Sequence, residues 1–254
     1  MTTRPPDPDR LLFTDASGRR VDVDDVLKGG LDGQYADRLP GLRALLRGGD
    51  PEHRFWAGYL LASWADPDGL RQLAEWAADP DHVPWGDTPI STHRFLGVDE
   101  TFDLLAGAVH TSVLLYNGTP QLRALQLAAV KALLRLAPTH WLGSKLAGTL
   151  ALDDDLLRQA LPALHDAIQR SVGVLREGNE PFPTHELQTL LLLELLVEVD
   201  DAAAASVAAD LVEPLAERHR LRNLAEAIRH ATGPRTAAVY QRLLELLEAD
   251  GGRR

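Results

Sequence analysis

The chain has 254 residues and a formal net charge of -11 at neutral pH. A field of this sign repels nucleic-acid phosphates and anionic lipid headgroups, so it argues against both as partners and favours a basic protein. Cysteine is absent, which excludes disulfides, thiolate catalysis and cysteine-bound zinc. Hydrophobic residues make up 45% of the chain, which is enough apolar surface to build a core.

The N-terminal segment, the most apolar segment and the lack of a long linker each set an expectation. Residues 1–10 contain three prolines and no apolar segment, so we predict a disordered tail and no secretory signal. The most apolar run, at 190–199, is interrupted by two glutamates and is too short to span a bilayer. We therefore expect a cytoplasmic protein with no membrane partner. No long linker divides residues 11–254, so we predict a single domain there.

One short stretch near the N-terminus carries a strand signal. Apolar residues alternate on both sides of a Gly-containing turn at 15–18, namely Leu11, Phe13, Val21 and Val23. Such alternation is typical of a small β-hairpin, which could cover the exposed end of a helical stack.

From about residue 38 the apolar spacing becomes helical. Asp50-Pro51 and Asp66-Pro67 each predict a helix start, because aspartate accepts hydrogen bonds from free N–H groups and proline needs none. A third such pair, at 79–80, precedes a long irregular stretch instead of a helix.

A cap followed by proline returns at Thr119-Pro120, which repeats the start at Asp50-Pro51. The two starts are about two units of roughly 35 residues apart, which indicates an internal repeat. The leucine-rich segment at 184–199 is apolar nearly all round, so we expect its helix to be buried in the middle of the stack. Further helices are predicted at 99–116, 140–149, 153–176, 184–199, 201–217, 219–231 and 234–249.

The segment 42–81 resembles one helical hairpin of the HEAT-like (armadillo-type) α-solenoid repeat proteins. The likeness is looser over 119–150 and covers about a third of the chain. It implies an all-α fold of stacked antiparallel helical hairpins, and members of this family are mostly binding scaffolds, with a minority of enzymes. The residues that carry the resemblance are Asp50, Pro51, Arg54, Ala57, Leu60, Leu61, Asp66, Pro67, Leu70 and Leu73.

The sequence carries no recognisable catalytic or metal-binding motif. The nine histidines include no pair at the spacing that brings two ligands together on one helix face. The run Asp153-Asp154-Asp155 is interpreted as the acidic start of a helix, because carboxylates there complement the helix dipole. Phosphate-binding, nucleophile-elbow and dinucleotide motifs are missing. We therefore expect no cofactor and no metal, and assign no catalytic residue.

Two connecting loops are the candidate interaction sites. The longer one, at 79–98, is of a length that is often functional, and its aromatic residues can either contact a partner or fold back on the hairpins. The other, at 177–183, reads as a rigid turn between helices. The candidate partner-binding residues are Trp85, Asp87, His93, Arg94, Phe95 and, from the first hairpin, Trp56.

The leading functional hypothesis is a non-catalytic scaffold or adaptor whose acidic surface binds a basic protein. One form of it is an acidic inhibitor or immunity-type protein that neutralises a basic enzyme through complementary charge. The alternative is an enzyme similar to the HEAT-like DNA glycosylases, which act on alkylated bases through an aromatic and a carboxylate in a basic groove. Trp and Asp are available for such a site, but a groove dense in Lys and Arg is not evident.

Overall fold

The computed structural model describes residues 7–251, without the side chains of residues 250 and 251. This part of the chain contains α-helices, two short 3-10 helices and no β-strand, which confirms the predicted all-α class. The helices are α1 (Pro8–Leu12), α2 (Val23–Leu31), α3 (Leu39–Gly48), α4 (Pro51–Ser63), α5 (Pro67–Ala78), α6 (Thr101–Leu114), α7 (Pro120–Leu136), α8 (Lys145–Ala151), α9 (Asp154–Glu177), α10 (His185–Val199), α11 (Asp201–Leu211), α12 (Arg218–Ile228) and α13 (Pro234–Gly251).

The chain packs as two compact units, unit 1 (Met1–Leu133) and unit 2 (Leu134–Arg254). Helices α1 to α6 belong to unit 1 and helices α8 to α13 to unit 2, while α7 crosses the boundary. That residues 11–254 form a single domain stays a prediction.

The predicted N-terminal β-hairpin is wrong. Two helices, α1 and α2, occupy this stretch, and only one isolated bridge joins Thr14 to Arg20. Leu11 and Leu12 are adjacent in sequence and both buried, which a helix permits and a half-buried strand does not. Asp22 accepts a hydrogen bond from the backbone N–H of Asp25 and starts α2, where the alternating pattern had suggested a second strand.

The predicted disordered tail falls mostly on residues 1–6, which lie outside the described residues. Residues 8–10 of the same segment form the first turn of α1. Asp7 begins that helix by accepting a hydrogen bond from the N–H of Asp9 at 3.2 Å.

The helix starts predicted from cap and proline pairs are confirmed. Asp50 accepts a hydrogen bond from the N–H of His53 at 3.0 Å, and Asp66 accepts one from the N–H of Asp68 at 2.9 Å. Helix α7 begins at Pro120, as its preceding threonine suggested. In each case the local chemistry of two residues sets where the helix begins.

The acidic run before α9 also has the structural role that its position predicts. Asp153 accepts hydrogen bonds from the N–H groups of Asp155 and Leu156, at 3.1 and 2.9 Å. Asp154 and Asp155 occupy the first turn of the helix, where negative charge is favourable.

Helix α4 is the centre of unit 1, in contact with α1, α2, α3, α5 and α6. Its leucines Leu60 and Leu61 are fully buried, as are Leu70 and Leu73 of α5. Gly69 lets α4 and α5 approach closely, because a Cβ there would lie 2.3 Å from the backbone nitrogen of Ala62. The hairpin that carries the HEAT resemblance therefore forms the core of this unit.

In unit 2 the helices form two rows. Helices α9, α11 and α13 contact one another in sequence, and so do α8, α10 and α12. Helix α10 packs against α8, α9, α11 and α12, and its Leu190, Leu192, Leu193, Leu195 and Leu196 are buried. Most of the leucine-rich helix is thus buried as predicted, whereas Leu187 and Val199 are exposed, and its place in the middle of a stack stays a prediction.

The turn between α4 and α5 contains the only non-glycine residue of the described chain with a positive φ. Ala65 has φ 58°, and the following N–H, of Asp66, donates to the carbonyl of Leu61 at 2.8 Å. Glycine is the usual residue at such a helix end, because a Cβ is strained in the left-handed region.

We expect Ala65→Gly to raise the free energy of unfolding by about 1 kcal/mol, since it removes this strain. Urea denaturation of the full chain measures the change. The matched control is Ala44→Gly, at an exposed position within α3, which should lower the free energy of unfolding by about 1 kcal/mol. Equal destabilisation by both substitutions would contradict the assignment of strain to Ala65.

Candidate functional site

The longer candidate loop begins at the third Asp-Pro pair. A single turn of 3-10 helix, Pro80–His82, follows it, so no α-helix starts there, as the sequence analysis expected. Val83 and Trp85 then turn inward, and a tight turn closes with the N–H of Gly86 donating to the carbonyl of Val83 at 3.1 Å.

Trp85 lies in the core of unit 1 and is only 7% exposed. Its ring centroid lies 5.2 Å from that of Phe55, 5.1 Å from that of Trp76 and 6.2 Å from that of Phe102, each in an edge-to-face arrangement. Such contacts are favourable beyond the burial of apolar area. Of the two alternatives for this residue, the structure has the one in which it folds back on the hairpin.

Trp56 belongs to the outer edge of the same aromatic cluster and is half-buried. Its ring contacts Phe55 at 5.0 Å and Tyr59 at 5.7 Å between centroids. Burial, with a smaller contribution from Asp24, raises the pKa of Tyr59 to about 12. The cluster around Trp56 is therefore poorly hydrated, and only part of its indole is open to a partner.

The remaining candidate residues lie on a short hairpin-like arm, which we define as residues 91–100. An antiparallel bridge joins Thr92 to Asp99. The N–H of His93 donates to the carbonyl of Val98 at 2.8 Å, and the arm closes at its ends through a bond from Glu100 back to position 91 at 3.1 Å. The backbone of the arm is thus paired with itself along its length.

The base of the arm is fixed to the start of α6. The hydroxyl of Ser91 donates to a carboxylate oxygen of Glu100 at 2.7 Å. Thr101, which is fully buried, accepts a hydrogen bond from the N–H of Ile90 at 3.0 Å and donates its own N–H to Asp99 at 2.8 Å. These bonds join the base of the arm to the buried first residue of α6.

The tip of the arm presents Arg94, Phe95 and Leu96. Phe95 is 86% exposed, the highest value among the exposed large apolar side chains, and Leu96 is 38% exposed. The guanidinium carbon of Arg94 lies 5.7 Å from the centre of the Phe95 ring. The tip turns at Gly97, with φ 65°, whose N–H donates to the carbonyl of His93 at 2.9 Å.

The structure therefore separates the six candidate residues. His93, Arg94 and Phe95 come together in the arm. Trp85 and Trp56 belong to the aromatic cluster. Asp87 lies exposed on the segment that leads from Trp85 to the arm. Sequence reasoning missed Leu96 as part of the tip. Its signal was the glycine at the next position, which marks a turn.

Unit 2 contains a polar cleft of about 450 Å³, which is lined by residues of α10 and of the packed helix α12. Glu194 and Glu198 line it from α10, and Glu226, paired with Arg229, lines it from α12. Partial burial, together with the neighbouring Glu198 and Glu226, raises the pKa of Glu194. Burial is the larger cause, so the raised pKa shows first that the carboxyl group of Glu194 is partly removed from water, and only second that two other carboxylates lie near it.

Among residues 7–251, no three histidine or acidic side chains come close enough together to hold a metal ion. No helix in this part of the chain is long and apolar enough to cross a membrane. Comparison with protein-family models, with curated proteins and with solved structures gives no match to this chain.

The different placement of the two aromatic residues predicts different costs of truncation. Trp85→Ala should lower the free energy of unfolding by about 3–5 kcal/mol, because it leaves a cavity among three rings. Phe95→Ala should change it by no more than about 0.5 kcal/mol, because the ring is solvated. Urea denaturation of both variants compares them directly. A large loss for Phe95→Ala would mean that the arm packs against the core.

Proposed function

We propose that this chain is a non-catalytic protein-binding scaffold, built as a HEAT-like α-solenoid, whose arm docks on a basic protein partner. The exposure of Phe95 at the tip of the hydrogen-bonded arm is the observation that carries the proposal. The fold, the docking element and the partner each have separate support.

The two helix rows of unit 2 support the solenoid. In such a fold each repeat packs only on its neighbours, so equivalent helices line up side by side. Several hydrogen bonds of this unit also join residues 34 or 35 positions apart, close to the repeat length that the sequence indicates. These bonds are Arg170 to the carbonyl of Arg135, Arg176 to Asp210, Arg220 to Glu186, and the N–H of Thr236 to Asp201.

The last of these bonds supports the repeat most directly. Asp201, the first residue of α11, accepts hydrogen bonds from the N–H groups of Arg235 and Thr236 at 3.1 and 2.9 Å. One aspartate thereby satisfies the start of α13 in the next hairpin. Gly233 is required beside it, because a Cβ there would lie 2.1 Å from the carboxylate.

The arm supports the docking role. A solvated phenylalanine gains free energy when a partner covers it, and aromatic residues with arginine are enriched among the residues that dominate protein interfaces. The hydrogen bonds of the arm hold Phe95 in place before binding, which reduces the entropy lost on association. Within the arm the ring lies near His93 and Arg94, and it remains 86% exposed.

The charge of the chain supports a basic partner. The net charge of -11 attracts positively charged proteins over a long range and accelerates their encounter. The cleft of unit 2 brings Glu194, Glu198 and Glu226 together, with Arg229 beside them. An inhibitor or immunity-type protein for a basic enzyme is the specific form that this combination favours.

The proposal predicts that a partner can be cross-linked at the arm. A photoreactive phenylalanine analogue in place of Phe95 should capture a basic protein from cells, and raising the salt from about 0.1 to 0.5 M should weaken the capture, because salt screens exposed charges. The control carries the analogue in place of Leu187, an exposed residue of α10. The captured protein is then purified and its affinity for the wild-type chain and for Phe95→Ala is measured.

Loss of at least tenfold in affinity for Phe95→Ala is the expected result. Unchanged affinity, or capture that high salt does not affect, would contradict the proposed mode of binding. Salt-sensitive binding to duplex DNA in place of protein capture would favour the glycosylase-like alternative.

A further inference from the structure

His185, the first residue of α10, is a fully buried ionisable side chain that the proposed function does not use. Neither ring nitrogen makes a hydrogen bond of normal geometry with the described residues. A buried imidazole in this setting is tolerated as the neutral form, whereas the charged form loses its hydration without a matching set of acceptors.

The ring of His185 packs against the connection between α9 and α10, which we define as residues 178–184. Phe182 is the buried side chain of this connection, 6% exposed, and its ring meets that of His185 edge-on with 5.2 Å between centroids. The neighbouring Pro181 and Pro183 are exposed. Phe182 is therefore joined to α10 in two ways, by this ring contact and by the N–H of His185, which donates to the carbonyl of Phe182 at 3.1 Å.

A second attachment holds the same connection to α12. Glu180 accepts a hydrogen bond from Arg220 at 2.7 Å, and the same guanidinium donates to Glu186 of α10 at 2.6 Å. Asn223 donates to the other oxygen of Glu186 at 3.1 Å. This ion-pair network is intact at any pH at which the two carboxylates are ionised, so it does not respond to the protonation of a histidine.

Glu180 of the connection is the charged group that acts on the ring of His185, and Arg220 of α12 binds Glu180 and Glu186 together. Burial lowers the pKa of His185, while Glu180 and the nearby carbonyl of Pro138 oppose this effect without overcoming it.

We propose that His185 is a pH-dependent latch for the α9–α10 connection: the neutral ring holds Phe182 in the core, and the protonated ring leaves its site and releases Phe182, while Glu180 stays bound to Arg220. Because the pKa is lower in the closed form than in the open form, the closed form is most stable above about pH 6.5, the pKa of a solvated imidazole. Its stability is lost as the pH falls from there through the pKa of the buried ring. This inference is independent of the arm and of the partner.

Amide hydrogen exchange of the full chain between about pH 7.5 and 5 tests the latch. After correction for the intrinsic effect of pH, exchange in the connection should accelerate up to about tenfold for each pH unit below 6.5, because one proton is taken up on opening. His185→Phe keeps an aromatic ring in the site and should abolish this acceleration. His219→Gln is the matched control, since His219 is exposed on α12, and should behave as the wild type.

A titration of the wild-type imidazole by NMR makes the test independent of whether the variant folds. The latch requires that His185 titrate clearly below the solvated value of about 6.5. A pKa at or above that value overturns the inference. So does an equal acceleration of exchange in the wild type and in His185→Phe.

Discussion

In unit 2, helices that are two apart along the chain contact each other. The burial of their apolar side chains is the interaction on which the other features of this unit depend. A single hairpin cannot bury both of its faces, so each one needs the next. Helix α10 contacts α8, α9, α11 and α12, and five of its leucines are buried, while Leu187 is exposed. Polar links also join residues about 35 positions apart in this unit, as between Asp201 and the start of α13.

Unit 1 uses a different core to support its candidate site. Trp85, Trp76 and Phe55 close the irregular segment over α4 and α5, so the segment needs no helix of its own to be ordered. The arm comes next along the chain. The buried Thr101 and the hydrogen bond between Ser91 and Glu100 fix its base. The exposed Phe95 thus lies at the tip of a hydrogen-bonded arm, and an ordered support of this kind lowers the entropy cost of any binding there.

The sequence predicted those features that two or three neighbouring residues decide. The starts at Asp50, Asp66 and Asp153 are of this kind, because the cap lies within three residues of the N–H group that it binds. The prediction of an N-terminal hairpin was wrong because alternating apolar residues around a turn are also compatible with two short helices. The burial of both Leu11 and Leu12 distinguishes the helices from the hairpin.

The candidate site was harder to predict because distant parts of the chain assemble it. Trp85 is buried because Phe55 of α4 and Trp76 of α5 lie where its ring can pack against theirs. The sequence of the loop alone does not show where those two rings lie. The pattern around residues 91–100 likewise shows turn residues but not the anchor at Thr101. The acidic cleft brings Glu226 of α12 close to Glu194 of α10. The sequence does not predict this proximity, because it depends on how the two helices pack.

Distances between helices α9, α11 and α13 test the stacked arrangement most directly. The chain has no cysteine, so spin labels can be placed pairwise on cysteines introduced at Asp166, Ser206 and Arg242, exposed positions near the middle of each helix. Neighbouring helix axes lie about 8–10 Å apart, so the α9–α13 distance should approach the sum of the two shorter ones, about 16–20 Å between axes. An α9–α13 distance as short as the other two would mean a closed bundle and would contradict the account.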